Sequence, residues 1–325
     1  MKFTIAFICG LLSLVLTAPA NAQSYPNKPV RVVVPYPPGG PTDIVARVLF
    51  QQVSEATGQQ FLVDNRAGAG GNIGAEIVAK SPADGYTLLI GTTAHAINMS
   101  LFKNLSYDVQ KDFAPVSLLT QGPLVLVAHP QFPANSIKEV IELAKSKSGG
   151  LNFASSGNGQ STHLSAELFN TMAGIKMSHV PYKGSAPALT DVMSGQVDVM
   201  FDTTLSAMPF VKAGKLKALA VFASKRTELA PEIPTLRETG IPSLFDVTVD
   251  GWTGIFAPQG TPVAVVNFLN QEINKVLEDP EFKKRANGQS LDVYTPSTPA
   301  QFTDYVRSEY NRWSAVIKPL QIEVN

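Results

Sequence analysis

Between residues 30 and 221 the chain alternates short β-branched runs with stretches of helical periodicity, which restricts its fold more than any other feature. Val30-Arg31-Val32-Val33-Val34 reads as a strand. Asp43 to Thr57 follows as a helix, with Ile44, Val45, Val48, Leu49 and Val53 near one face and Gly58 as its stop. Phe61-Leu62-Val63 is a second strand, about Asn72 to Lys80 a helix, and Thr87 to Ile90 a third strand. This order demands parallel pairing with right-handed crossovers. The pattern then restarts. Leu124 to Val127 is a strand, and Ser136-x-x-Glu139 is a capping box opening a helix to about Lys147. Leu151 to Ala154, Ser178 to Val180, Val197 to Phe201 and Leu216 to Val221 are further strands, the first three each followed by a helix.

Val247 to Phe256 is a last strand, followed by helices over Pro262 to Leu277, Pro280 to about Ala286, and Pro299 to about Ile317. These helices have no sheet of their own, so they are expected to dock on the first unit. The chain then crosses between units twice, near 120–123 and 244–248. That implies one domain from 23–122 with 246–325, a second from 123–245, and a cleft between two doubly wound, mainly parallel sheets joined by a two-strand hinge. Two domains on a single linker would leave the C-terminal helices without a partner.

Composition narrows the function. Lys and Arg (26) balance Asp and Glu (26), and charged residues make up only 16%. A disordered polyelectrolyte is excluded, and a nucleic-acid binder would need a basic excess that is absent. Residues 1–22 read as a secretory signal: Lys2, an apolar core from Ile5 to Leu16, and Ala20-Asn21-Ala22 before a cut at Gln23. As a membrane anchor the run is short. Cys9, the sole cysteine, lies within it, so the exported chain would carry none. A chain of this length can rely on its hydrophobic core without a disulfide.

In open parallel sheets ligands bind beyond the carboxyl ends of the strands. After the first strand come Pro35-Tyr36-Pro37-Pro38-Gly39-Gly40-Pro41-Thr42-Asp43, in which prolines stiffen the loop and glycines admit a close ligand. The loop opens a helix whose N-terminus favours an anion, and Thr42 or Asp43 can also cap it. Tyr36, Pro38, Gly39, Gly40, Thr42 and Asp43 are therefore candidates. The counterpart in the second unit runs from Ser155 to His163, with Ser155, Gly157, Asn158, Ser161, Thr162 and His163 as candidates, His163 being equally readable as a packed side chain. Two helix N-termini facing one cleft suit a carboxylate. Tyr182 and Asp202 follow later strands, as does Lys183; Asp202 reads equally as a cap. Thr92 follows the third strand.

The glycines of Arg66 to Gly74 lack the dinucleotide spacing, because Ile73 stands where a glycine is required, and they read as a structural or cleft-edge turn. There is no Gly-x-Ser-x-Gly and no His-Glu-x-x-His. The four histidines lack zinc spacing, so neither catalysis, a metal nor a cofactor is expected.

The motifs themselves resemble a known family, the extracytoplasmic solute-binding proteins of tripartite tricarboxylate transporters, also called the Bug family. The resemblance rests on Pro35 to Asp43, Asp64 to Gly74, Asp84-Gly85-Tyr86-Thr87-Leu88, Ser161-Thr162-His163, His179 to Gly184, Gly195 to Asp198, and Gly251-Trp252 before Ala257-Pro258. Tyr36 departs from it, since Phe is commoner there, and brings a hydroxyl to the pocket. The resemblance implies a two-lobed class II periplasmic binding-protein fold closing over a small organic acid. That acid could be mono-, di- or tricarboxylate, or aromatic, and it would be gripped through loop amides and waters. The partners it implies are the large and small permease subunits; a monomer is expected. A sensory module feeding a receptor kinase, or a secreted hydrolase, are the rival readings.

Overall fold

A computed structural model describes residues 25–227, 230–245, 247–288 and 296–320. The expected signal segment 1–22, with its cut before Gln23, lies outside the described residues. Strand β1 (Val30–Val34) has four of its five residues buried, as expected of a parallel strand covered on both faces. It pairs in parallel with β2 (Phe61–Asn65) and β3 (Thr87–Thr92). Helix α1 (Pro41–Thr57) starts on a proline, whose missing N–H costs nothing at that position, and stops at Gly58 in the left-handed conformation (φ 69°). Helices α2 (Asn72–Ala79) and α3 (Thr93–Leu101) follow β2 and β3.

Strand β4 (Phe113–Ala128) starts well before the apolar run at 124–127 and belongs to both parts of the molecule. Its first part, Phe113 to Pro123, lies antiparallel to β9 (Asp250–Pro258), which in turn pairs with β3. Its second part, Leu124 to Ala128, lies antiparallel to β7 (Val199–Thr203) and β8 (Lys217–Val221). Strands β5 (Asn152–Ser155) and β6 (Ser178–Pro181) complete the second section in parallel with β7. The strand order β2-β1-β3-β9-β4-β7-β5-β6 thus runs unbroken from one lobe into the other. Parallel pairing sits at the two outer ends, and the strands that change lobe supply antiparallel pairs at the centre. At the crossing, Leu124 N–H donates to Val249 O and Val249 N–H to Phe222 O.

Helix α4 (Ile137–Ser146) carries the expected cap, with Ser136 Oγ accepting from Glu139 N–H. The reciprocal bond from the Glu139 carboxylate goes one residue further back, to Asn135 N–H. Helices α5 (Ser161–Ala173), α6 (Ser185–Met193) and α7 (Thr204–Lys212) cover the second section.

The C-terminal helices are α8 (Val263–Glu278), α9 (Pro280–Gly288) and α10 (Pro299–Leu320). Val266, Leu269, Ile273 and Phe282 pack with Val30, Val32 and Leu49 in the first core, as expected. Helix α10 is a correction to the expectation that all three dock there. Its start puts Phe302 and Val306 against the first sheet, but Trp313 and Ile317 join the second core with Phe153, Phe169 and Phe201. At 22 residues it is about 33 Å long, enough to span both lobes. Ile97 and Leu101 of α3 join the second core in the same way.

Candidate ligand-binding cleft

A cavity of about 120 Å³ opens between the two sections. Its wall includes the first residues of five helices: Gly40 to Thr42 (α1), Thr92 to Ala94 (α3), Gln160 to Thr162 (α5), Gly184 to Pro187 (α6) and Thr203 to Leu205 (α7). Each helix start carries free N–H groups and roughly half a positive charge. At α1, α5 and α6 no side chain caps these groups. The other two are provided for internally: Thr92 N–H donates to His95 Nδ1 (2.9 Å), and Thr203 Oγ1 accepts from Ser206 N–H. Among the described residues, Lys183 and Asp202 are the charged side chains on the wall.

Asp202 is fully buried on β7 and accepts from Ser185 Oγ (2.9 Å), Ser206 Oγ (2.6 Å) and Thr203 N–H (2.8 Å). Burial pushes its carboxyl up to about 6, against the opposing effect of those donors. Tyr36 is held by Thr92 Oγ1 (2.8 Å) and donates to Gln160 Oε1 (3.1 Å). Burial pushes its hydroxyl up to about 12, so it stays protonated. Burial also pushes His95 down to about 4, leaving it neutral, with its proton on Nε2 because Nδ1 accepts.

Tyr36, Pro38, Gly40, Thr42, Thr92, Ser161, Thr162 and Asp202 come together on the cavity wall. Seven other residues singled out from the sequence do not line it, and each has another place. Asp43 is buried with both oxygens occupied: Gly39 N–H and Arg47 Nε donate to Oδ2 (both 2.9 Å), and Asn65 Nδ2 donates to Oδ1 (2.9 Å). Gly39 (φ 80°) turns the loop so that its N–H reaches Asp43. Ser155 Oγ lies 2.6 Å from His179 Nε2 and accepts from Gly157 N–H. His163 stacks on His179, with ring centroids 3.9 Å apart, and its Nδ1 accepts from Gly159 N–H (3.3 Å). Asn158 is at the exposed tip of the loop. Tyr182 donates its hydroxyl to Asp191 (2.5 Å). These groups shape the two loops, and small hydroxyl-bearing residues of the loops, Thr42, Ser156, Ser161 and Thr162, are left on the cavity wall.

Sequence reading missed α3 altogether, along with Gln160, Ser185, Thr203 and Trp252 on the wall. Their common sign is position: most sit at the first residue or cap of a helix directly after a strand. Trp252 is buried on β9, where its Nε1 donates to buried Glu309.

The described residues contain no helix long and apolar enough to cross a membrane. Two lobes on shared strands around a cleft of helix N-termini define a solute-binding protein. Comparison with known proteins identifies the family: residues 45–322 match the model of the tripartite tricarboxylate transporter family receptor, and the chain belongs to that family. It is 36% identical over 307 residues to protein BugT of Bordetella pertussis, covering 93% of this chain and 92% of that one. Among solved structures, an R. palustris protein with adipate superposes with a TM-score of 0.87 at 36% identity, covering 92% of this chain and 99% of that one. MatC of Rhodopseudomonas palustris with bound malate gives 0.84 at 36% identity, covering 90% and 100%. The family and its structural relatives are periplasmic solute-binding proteins, not enzymes.

Proposed function

We propose that this chain captures a small organic carboxylate in the interlobe cavity and delivers it to the permease of a tripartite tricarboxylate transporter. In this reading residues 1–22 direct export to the periplasm and are removed. Residues 23–122 with most of 246–325 form one lobe and 123–245 the other, the far end of α10 reaching into the second. The observation that carries the reading is the convergence of three uncapped helix N-termini, from both lobes, on one cavity. Backbone N–H groups fixed in direction bind an anion without an Arg fork. The cavity supplies such donors on opposite sides, so a carboxylate bound there draws the lobes together. Closure follows when the ligand binds the closed state better than the open one. Because two relatives are solved with adipate and with malate, short dicarboxylates are the first candidates.

The test is thermal unfolding of the chain from Gln23 onward with malate, adipate, citrate, glutamate and benzoate. An acid at about 100 times its Kd adds about 2.7 kcal/mol, a rise in Tm of roughly 5 °C for a chain of this size. No shift with any acid, together with no acid released on denaturation and detected by mass spectrometry, would overturn the carboxylate reading.

A further inference from the structure

Gln160 occupies the cap position of α5, but its side chain does not cap that helix. It crosses instead to the first lobe. Nε2 donates to Gly70 O (2.9 Å), and Oε1 accepts from the Tyr36 hydroxyl (3.1 Å). Since Tyr36 gives its only proton to Gln160, Thr92 Oγ1 must donate to Tyr36 (2.8 Å). The result is a directed chain, Thr92 to Tyr36 to Gln160 to Gly70, in which every bond is made by the protein. Asn98 Nδ2 also donates to Gly70 O (3.3 Å), which orients that carbonyl.

The glycine turn at 68–71 gets its purpose here. Gly70 (φ 64°) lies so close to the second lobe that a Cβ would meet Asn158 O at 2.9 Å. At Gly71 (φ 94°) a Cβ would stand 3.1 Å from the Tyr36 hydroxyl oxygen. On the opposite side, a Cβ at Gly159 (φ 76°) would meet Asn98 Oδ1 at 2.7 Å and Leu101 at 2.8 Å. Glycines from both lobes therefore allow the close approach that seats Gln160.

We propose that Gln160 is a clasp and the 68–71 turn with Tyr36 its socket, holding the two lobes together whether or not a ligand is bound. Gln160 is then a positioning residue for binding: it acts through the populations of open and closed lobes. Apparent affinity scales with the fraction of chain already in the competent state. A chain with the clasp binds more tightly, and exchanges its ligand only as fast as the clasp opens. The idea rests on the reading of this cavity as the binding cleft, but its test needs no ligand.

The sequence from Gln23 onward contains no cysteine, so a spin-label pair can be introduced cleanly at Ala56→Cys on α1 and Lys145→Cys on α4, both exposed. Interlobe distance distributions are then measured by pulsed electron resonance without ligand, in the parent and in Gln160→Ala, Tyr36→Phe and the double variant. The clasp predicts one short distance in the parent and a new, longer population in the variants. Loss of two neutral hydrogen bonds in Gln160→Ala shifts the equilibrium about tenfold or more, and Tyr36→Phe a few-fold. Tyr36→Phe should add nothing in the Gln160→Ala background, because the bond it removes is already gone. Tyr36→Phe keeps the ring and its packing, so it reports even where Gln160→Ala fails to fold. Identical distributions in parent and variants, whether all short or all long, overturn the clasp. A chain that binds no acid but shows the predicted shifts would refute the carboxylate reading and leave the clasp standing.

Discussion

The two loops that face each other across the cleft are built to the same plan with different chemistry. The first, 35–43, is stiffened by prolines and tied from behind by a carboxylate: Asp43 gathers Gly39, Arg47 and Asn65. Burial alone would raise its pKa, but the bonds from Arg47, Gly39 and Asn65 outweigh it and hold it below the usual range. The second, 155–163, is tied from behind by neutral imidazoles: His179 on Ser155, and His163 on Gly159 N–H. Burial, with the neighbouring ring of His179, keeps His163 down at about 3. In both loops the side chains with the strongest chemistry brace the backbone and leave amides and hydroxyls to the cavity. A fixed negative charge behind the first loop is neutralised by Arg47, whereas the second lobe keeps its negative charge, Asp202, on the cavity wall itself.

The largest expected effect tests that last contrast. The Asp202 carboxyl titrates near 6 when folded, against 3.8 in the unfolded chain. Its ionised form therefore costs stability above pH 6, and the cost is relieved as pH falls towards 3.8. The difference of about 2 units is worth about 3 kcal/mol. Asp202→Asn removes the charge at every pH. Its unfolding free energy relative to the parent should therefore drop by up to about 3 kcal/mol from pH 7 to pH 4, read from denaturant titrations. A difference independent of pH would mean that the Asp202 carboxyl takes up its proton in the fold no more readily than in the unfolded chain, and its burial as a charge on the cavity wall would fail.

A second test sets one loop's glycine against the other's. Gly157 (φ 137°) would put a Cβ 3.2 Å from Tyr182 O, whereas Gly39 (φ 80°) faces open space. Both conformations strain a β-branched residue by roughly 1–3 kcal/mol, and only Gly157→Val adds a contact with backbone. Gly157→Val should lower stability by about 2–3 kcal/mol, Gly39→Val by about 1–2 kcal/mol. Each should abolish acid binding in calorimetry while circular dichroism stays native. Unchanged affinity in both would break the two-loop model of the site.

How much of this could be read in advance depends on the physics of each element. The β1 run and the face of α1 are periodic patterns, so burial makes them visible. The first eleven residues of β4 carry Pro115, Ser117 and Gly122, and the strand bends through register shifts near Pro115 and Leu118. It is held by β9, which is distant in sequence, and no local signal marks such a partner. Helix α3 is invisible for a related reason: Thr93, Ala94 and Ala96 are buried small residues without an amphipathic stripe. Its far end, at Ile97 and Leu101, packs into the other lobe's core. For the site, strand-end position is a sound guide to which loops meet. Side-chain type misleads within them, because Asp43, Ser155 and His163 look like ligand groups and only tertiary contacts show that they are already occupied. Gln160 carries no sign of its role, since its partners, Tyr36 and Gly70, are brought to it by the fold.

The smallest effect isolates the imidazole brace. His179 stacks on Phe153 (4.8 Å) and on His163, and its Nε2 faces Ser155 Oγ. His179→Phe keeps a flat ring in the stack and deletes one neutral hydrogen bond, so at pH 7 it should cost about 1 kcal/mol. Acid reverses the order. Burial holds His179 down at about 4 in the fold, against 6.5 unfolded, so its share of stability is whole above pH 6.5 and is lost as pH falls to 4. The substituted phenyl ring has no proton to take up. The variant should therefore lose less stability than the parent between pH 6.5 and 4, and the two unfolding curves should converge or cross. Parallel curves would show that His179 takes up a proton in the fold as readily as in the unfolded chain, and the picture of a second loop tied by a buried, neutral imidazole would fail.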